Sequence, residues 1–331
     1  MEKQYNRLNF KVASGVVVIG VLSILSFFPS ILSLFFEKEG PSFLYSTDGK
    51  LIGAPPFSPS QFPPLGTDQF GESLLYQLVE GTKFTLFFVI IVACLRIMLS
   101  LTLSILYAFW AKGILKWMNK SLDIIYFIPP VFIVFFIMGP VQNNYDQLGT
   151  LLIIQIALFT LIAIPPISVQ LGEEMASYLK EDFVKIVQLS GAGNFYIFKR
   201  HIFRLIKPRI FIVFLQQIIQ ILILLIHLSI LGIFVGGAEK IKTSMTGGSF
   251  ESVSISNEWA GLIGLHYKEL FLNPWLTIAP LVAFTILIFA VKLILSGISE
   301  KGTYKEPPLN INPATKSAKG SSKDFTLVRQ K

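Results

Sequence analysis

Long apolar runs alternate with short polar segments along the chain. Six runs are long enough to cross a bilayer as helices, which takes about 20 residues each. They cover residues 12–36, 84–110, 121–140, 149–170, 210–236 and 274–297. The pattern predicts an all-α, polytopic membrane protein with six transmembrane helices. The third and fourth runs each carry a Pro-Pro pair, Pro129-Pro130 and Pro165-Pro166. Proline frees main-chain carbonyls, so these helices are expected to face protein rather than lipid. The pairs fit an ordinary kink or the wall of a moving pathway.

The first run follows Lys3, Arg7 and Lys11. It exceeds a signal-peptide h-region in length and no small-x-small cleavage site follows it, so it reads as a retained helix. The chain then divides into an N-terminal segment 1–11, the first helix 12–36, a loop 37–83, a five-helix core 84–297 and a polar tail 298–331, expected to be disordered. The loop "APPFSPSQFPPLGTDQFGES" predicts irregular structure entering a short helix. A second long loop, 237–273, holds a Gly/Ser-rich half and then "EWAGLIGLHYKELFL". The latter predicts a short amphipathic helix lying against the outer face.

Charge adds an orientation. With the N-terminus in the cytoplasm, most of the 28 Lys and Arg residues fall on the inner side. Both termini are then cytoplasmic by the positive-inside rule. The same placement accounts for the net charge of +8 without a nucleic-acid partner. Composition agrees: 15% of residues are charged, against about 25% in soluble domains. A single cysteine, Cys94, allows no intrachain disulfide. There is no GxxxxGK[ST] phosphate loop, no HExxH and no CxxC, and the three histidines are His201, His227 and His266. No catalytic site, metal site or bound cofactor is expected in this chain.

The most polar internal stretch is 171–209. Its acids, Glu173, Glu174, Glu181 and Asp182, come early; its cations, Lys199, Arg200, Arg204, Lys207 and Arg209, come late. Apolar positions on either side of "SGAGN" predict two short helices meeting there. Gly191 and Gly193 are expected at positive φ and Asn194 as the cap of the second helix. Such a turn suits equally a plug for a groove on another protein and an amphipathic hairpin on the membrane. Within the spans, Gln216, Gln220 and His227 recur on one helix face, and Gln155 and Arg96 are candidates to join them. A solute pathway and interhelical hydrogen bonding both account for such a stripe.

These residues carry a resemblance. The segment from Glu181 is similar to the cytoplasmic "EAA---G" loop of membrane subunits of binding-protein-dependent ABC importers, in their dipeptide/oligopeptide/nickel group. Matching positions are Glu181, Asp182, Phe183, Val184, Gly191, Ala192, Arg200, His201, Ile202 and Pro208. "PLGTDQFGESLLYQLVEGTKFTL", "LSILG", "EWAGLI" and "NPWLTIAP" resemble further signatures of that group, in the same order. Two departures stand out. Lys185-Ile186-Val187 replaces Glu-Ala-Ala, and Glu72-Ser73 replaces the Arg-Asp of the "GRD" signature.

The resemblance implies a type I importer permease fold in the bacterial inner membrane and a non-catalytic role. It implies a coupling surface at 181–194, including Asp182, Lys185, Val187, Ser190, Gly191, Ala192 and Asn194. Implied partners are a second homologous permease, two cytoplasmic ATPase subunits that hold ATP and Mg, an extracytoplasmic solute-binding protein and membrane lipid. Peptides, nickel or metal chelates are the implied solutes. Alternatives are a permease-derived scaffold or regulator, which the altered loop at Lys185-Ile186-Val187 allows, and an integral-membrane lipid-modifying enzyme. The enzyme would need clustered acids or histidines at one face, whereas Asp68, Glu72, Glu80 and Glu258 are scattered.

Overall fold

The computed structural model describes residues 2–41, 43–45, 51–109, 128–144, 148–242, 250–254 and 256–301. Among these, five helical segments are long and apolar enough to cross a membrane: Phe10–Phe27, Leu74–Phe109, Gly149–Tyr178, Asn194–Ile230 and Pro274–Ser299. A sixth apolar helix, Pro130–Asn144, is 15 residues long, short of a full crossing at about 20. The predicted third span, 121–140, lies partly outside the described residues. Pro130 opens the described helix rather than kinking it, and position N1 is where a missing N–H costs least.

Other boundaries move for local reasons. Helix α1 is Glu2–Phe27, not 12–36. Phe28 leaves helical geometry (φ −122°, ψ 64°), ahead of Pro29, and a four-residue helix α2, Pro29–Leu32, follows. The residue before proline is pushed out of the α region, and this ends α1. Helix α3, Leu74–Phe109, starts ten residues before the apolar run because Gln77, Glu80 and Lys83 sit in its first turns. After α4, Pro130–Asn144, helix α5 runs Leu148–Tyr178 without interruption through Pro165-Pro166. Helix α8, Phe203–Ile230, ends at Gly232, whose φ of +80° only glycine adopts at little cost. Helix α10 is Pro274–Lys301. The chain is not purely helical: Leu44–Tyr45 pairs with Leu51–Gly53, and Ala238–Lys242 with Phe250–Ser254, as antiparallel hairpins. The tail from residue 302 onward lies outside the described residues.

Helices α3 and α5 pack through small and hydroxylated side chains. Ser100 Oγ and Ser104 Oγ donate to the Ile164 and Ser168 carbonyls at 3.4 and 3.0 Å. Lipid tails provide no hydrophobic drive between helices, so close approach and such bonds hold the pair together.

The largest correction concerns helix α9, Trp259–His266. It was expected on the outer surface and is instead buried on all sides. Trp259 is 1% exposed, and Ala260, Leu262 and Ile263 are buried with it. Trp259 Nε1 donates to the Leu78 carbonyl at 2.7 Å, and its main-chain N–H donates to Thr85 Oγ1 at 3.1 Å. Thr277 Oγ1 donates to the His266 carbonyl at 2.7 Å. Gly264 lies against the Ser229 carbonyl, and Gly81 of α3 against that of Asn257. The helix is apolar around its whole circumference, which is the signature of burial rather than of an interface.

Candidate functional site: an exposed apolar turn and a polar interior

Between α5 and α8 the chain makes two short helices, α6 (Asp182–Leu189) and α7 (Asn194–Ile197), and then a π-helical turn, Phe198–Ile202. Val184 is fully buried and belongs to one core with Ile197, Ile202 and Ile206, continuous with Ile97 of α3 and Leu171 and Met175 of α5. Gly191 takes φ +83° as expected. Gly193 does not: at φ −71°, ψ 156° it is itself the N-cap of α7, so Asn194 is the first helical residue rather than the cap. One left-handed residue suffices to reverse the chain, which leaves Gly193 extended. The His201 ring lies 6.4 Å from that of Phe183 and 6.0 Å from that of Tyr196, joining the two short helices.

The face turned away from this core is apolar. Ile186 is 64% exposed, Leu189 88% and Phe195 74%, with Phe183 and Tyr196 also exposed. Of the expected loop residues, Asp182, Lys185, Ser190, Gly191 and Asn194 are exposed, and Val187 and Ala192 are half-buried. The expected coupling residues did not include Ile186, Leu189 or Phe195, although Leu189 and Phe195 were among the apolar positions flanking the turn. The signal was the i, i+4, i+7 spacing of Asp182, Ile186 and Leu189 opposite Val184. Lys185 Nζ donates to Asp182 Oδ1 at 2.9 Å. That hydrogen bond, together with the lysine charge, holds the Asp182 carboxyl below its usual range. At the base of the excursion, Arg209 Nε lies 3.2 Å from Glu174 Oε2 and ties α8 to α5.

Inside the bundle, Arg96 is 3% exposed. Its Nε and Nη2 donate to the Phe159 carbonyl at 3.0 and 2.7 Å, and its Nη1 to Gln217 Oε1 at 2.8 Å. Gln217, not among the expected residues, is therefore a partner of Arg96. Gln155 is buried at the opposite end from α6. Its Nε2 donates to the Phe234 carbonyl at 2.7 Å, and its Oε1 accepts from Gly236 N at 2.9 Å. Arg96 and Gln155 thus join helices and loops and are not brought into the stripe on α8. Gln216 is half-buried, while Gln220 and His227 are exposed. His227 Nδ1 lies 2.7 Å from the Ile223 carbonyl, which marks Nδ1 as the protonated ring nitrogen.

Among the described residues no group of three or more His, Cys, Asp or Glu could hold a metal ion. No curated protein matches the chain. Residues 100–301, more than half of its length, match the family described as binding-protein-dependent transport system inner membrane component. That region holds the exposed turn, the buried helix α9 and the stripe on α8, and on this evidence the chain belongs to that family of transport-system membrane components.

Proposed function

We propose that this protein is a permease subunit of an ATP-driven importer of the peptide and nickel group, coupled to cytoplasmic ATPase subunits through residues 181–194. The observation that carries the reading is the exposed apolar face of α6 and α7, outside the long apolar cores of the spans but built on the core that holds α3, α5 and α8. With Val184 in that core and Glu174–Arg209 closing the base, a push on α6 is carried as a rigid-body movement into three helices. ATP and Mg belong to the partner subunits, and both termini face the cytoplasm. The exposed Gln220 and His227, with Gln216, line a solute pathway shared with a second, homologous permease. A polar stripe left open to lipid is costly, and a facing subunit or water column relieves that cost. A solute-binding protein delivers peptides or metal chelates from the other side.

The test is capture of ATPase subunits by the tagged full chain from native membranes. Leu189→Asp places a charge at the centre of the apolar face without touching the core. Loss of the ATPases and of uptake, with normal membrane insertion, is expected. Retention of both would remove the coupling role and favour a scaffold.

A further inference from the structure

The π-helical turn Phe198–Ile202 and the start of α8 carry a second surface that the coupling reading does not use. Lys199, Arg200, Arg204 and Lys207 are all exposed. Among the described residues none of the four has a carboxylate within ion-pair distance. Their neighbour Arg209 faces inward and is paired with Glu174. Among the described residues the outward cations are therefore left uncompensated.

Arg204, Lys207 and Phe211 recur at i, i+3 and i+7 on α8, the spacing of one helical stripe, and Arg200 precedes them in the π-helical turn. Phe211 is 45% exposed, and Phe203 and Leu205 are exposed beside the stripe. The helical path from Asn194 to Ile230 is apolar enough to span a membrane. At 1.5 Å per residue, Phe211 lies about 16 Å along the axis from Arg200. The cations therefore sit at the polar end of the span and the aromatic ring below them, in the order of headgroup and acyl chain.

We propose that Lys199, Arg200, Arg204 and Lys207 bind the phosphate headgroups of anionic glycerophospholipids, with Phe211 seated among the acyl chains. A water-soluble acidic partner would compensate the cations but would not cover apolar side chains continuous with the span; a lipid does both. The site stands on this geometry, and only the assignment to the inner leaflet rests on the orientation proposed above.

The experiment is native mass spectrometry of the purified full chain in detergent, with phosphatidylglycerol or phosphatidylcholine added. Retention of phosphatidylglycerol over phosphatidylcholine is expected. It should fall about tenfold or more in Lys199→Gln/Arg200→Gln/Arg204→Gln/Lys207→Gln. Lys38→Gln/Lys268→Gln should leave it unchanged. If the quadruple variant is unstable, Arg204→Gln alone should show an intermediate loss. Equal retention of the two lipids overturns the proposal, as does undiminished binding by the variants. Displacement by equimolar inorganic phosphate would mean a free-phosphate site instead. Loss of a co-purifying protein with lipid retention intact would assign the stripe to an acidic protein surface. Neither of these last two outcomes depends on whether Leu189→Asp loses the ATPase.

Discussion

Arg96 and Gln217 stand 121 residues apart in the chain, yet the guanidinium donates to the glutamine oxygen at 2.8 Å in the middle of the bundle. Its other bonds go to the Phe159 carbonyl. A buried cation on α3 is thus solvated through dipoles by two other helices, α5 and α8, with no carboxylate paired to it among the described residues. Losing one such hydrogen bond to a charged group costs about 1.5–3 kcal/mol. Gln217→Leu should destabilise the detergent-solubilised protein by that amount, read from thermal unfolding. Arg96→Met/Gln217→Leu should cost less than the sum of the single changes, because the uncompensated charge goes with its partner. Additive losses would show that the two side chains do not act as a pair.

The seating of α9 depends on glycines at two crossings. A Cβ on Gly81 would run into the Asn257 carbonyl, and one on Gly264 into that of Ser229. Both obstacles are main chain and cannot rotate away. Gly81→Ala and Gly264→Ala should each lower stability by about 1–3 kcal/mol through overpacking. Gly139 has nothing within 4 Å, so Gly139→Ala should be neutral or gain up to about 1 kcal/mol from helix propensity. A thermal-shift series on the three variants checks the ordering.

The places of five long apolar helices were legible because about 20 consecutive apolar residues admit few other readings, whereas the sixth expected span, 121–140, lies partly outside the described residues. Their ends were not. Hydropathy cannot see that Gln77, Glu80 and Lys83 continue a helix, or that Pro29 stops one. The burial of α9 was misread because Glu258, His266 and Lys268 gave the segment polar ends. Only tertiary contacts reveal that Glu258 is 1% and His266 6% exposed. The turn at Gly191 was legible from local chemistry. The Arg96–Gln217 contact was not, since nothing local in either helix specifies the other. Lys185 differs, because its partner Asp182 stands three residues away on the same helix. In sequence it is a reversed charge; in space it is half of an ion pair.

That pair makes a separate prediction. Asp182 and Lys185 lie on the exposed side of α6, where ion pairs contribute little to stability. Asp182→Asn and Lys185→Glu should therefore leave the melting temperature essentially unchanged. Lys185→Glu nevertheless places two like charges one turn apart on the proposed docking face. Capture of the ATPase subunits should fall in that variant and persist in Asp182→Asn/Lys185→Gln, which is neutral like the wild-type pair. Equal capture by all three would place the pair outside the interface.

Glu258 offers a test by pH. Its carboxylate caps α9, accepting from Ala260 N at 2.9 Å. Burial pushes its pKa up to about 7, although main-chain N–H groups of Ala260, Val235 and Gly261 oppose the rise. The ordinary value of such a carboxyl is 4.5. Between these two values the folded protein holds a proton that the unfolded chain has released. Unfolding there releases protons, so raising the pH from about 4.5 through 7 removes stability, by at most about 1.4 kcal/mol per pH unit for one group. Asp68, also raised by burial, contributes in the same direction, so the diagnostic quantity is the difference between wild type and Glu258→Gln. The amide keeps an acceptor for the helix N-terminus but does not titrate. Its melting temperature relative to wild type should therefore be higher at pH 8 than at pH 5. A constant offset across that range would mean that the helix N-terminus, not burial, controls the charge of Glu258.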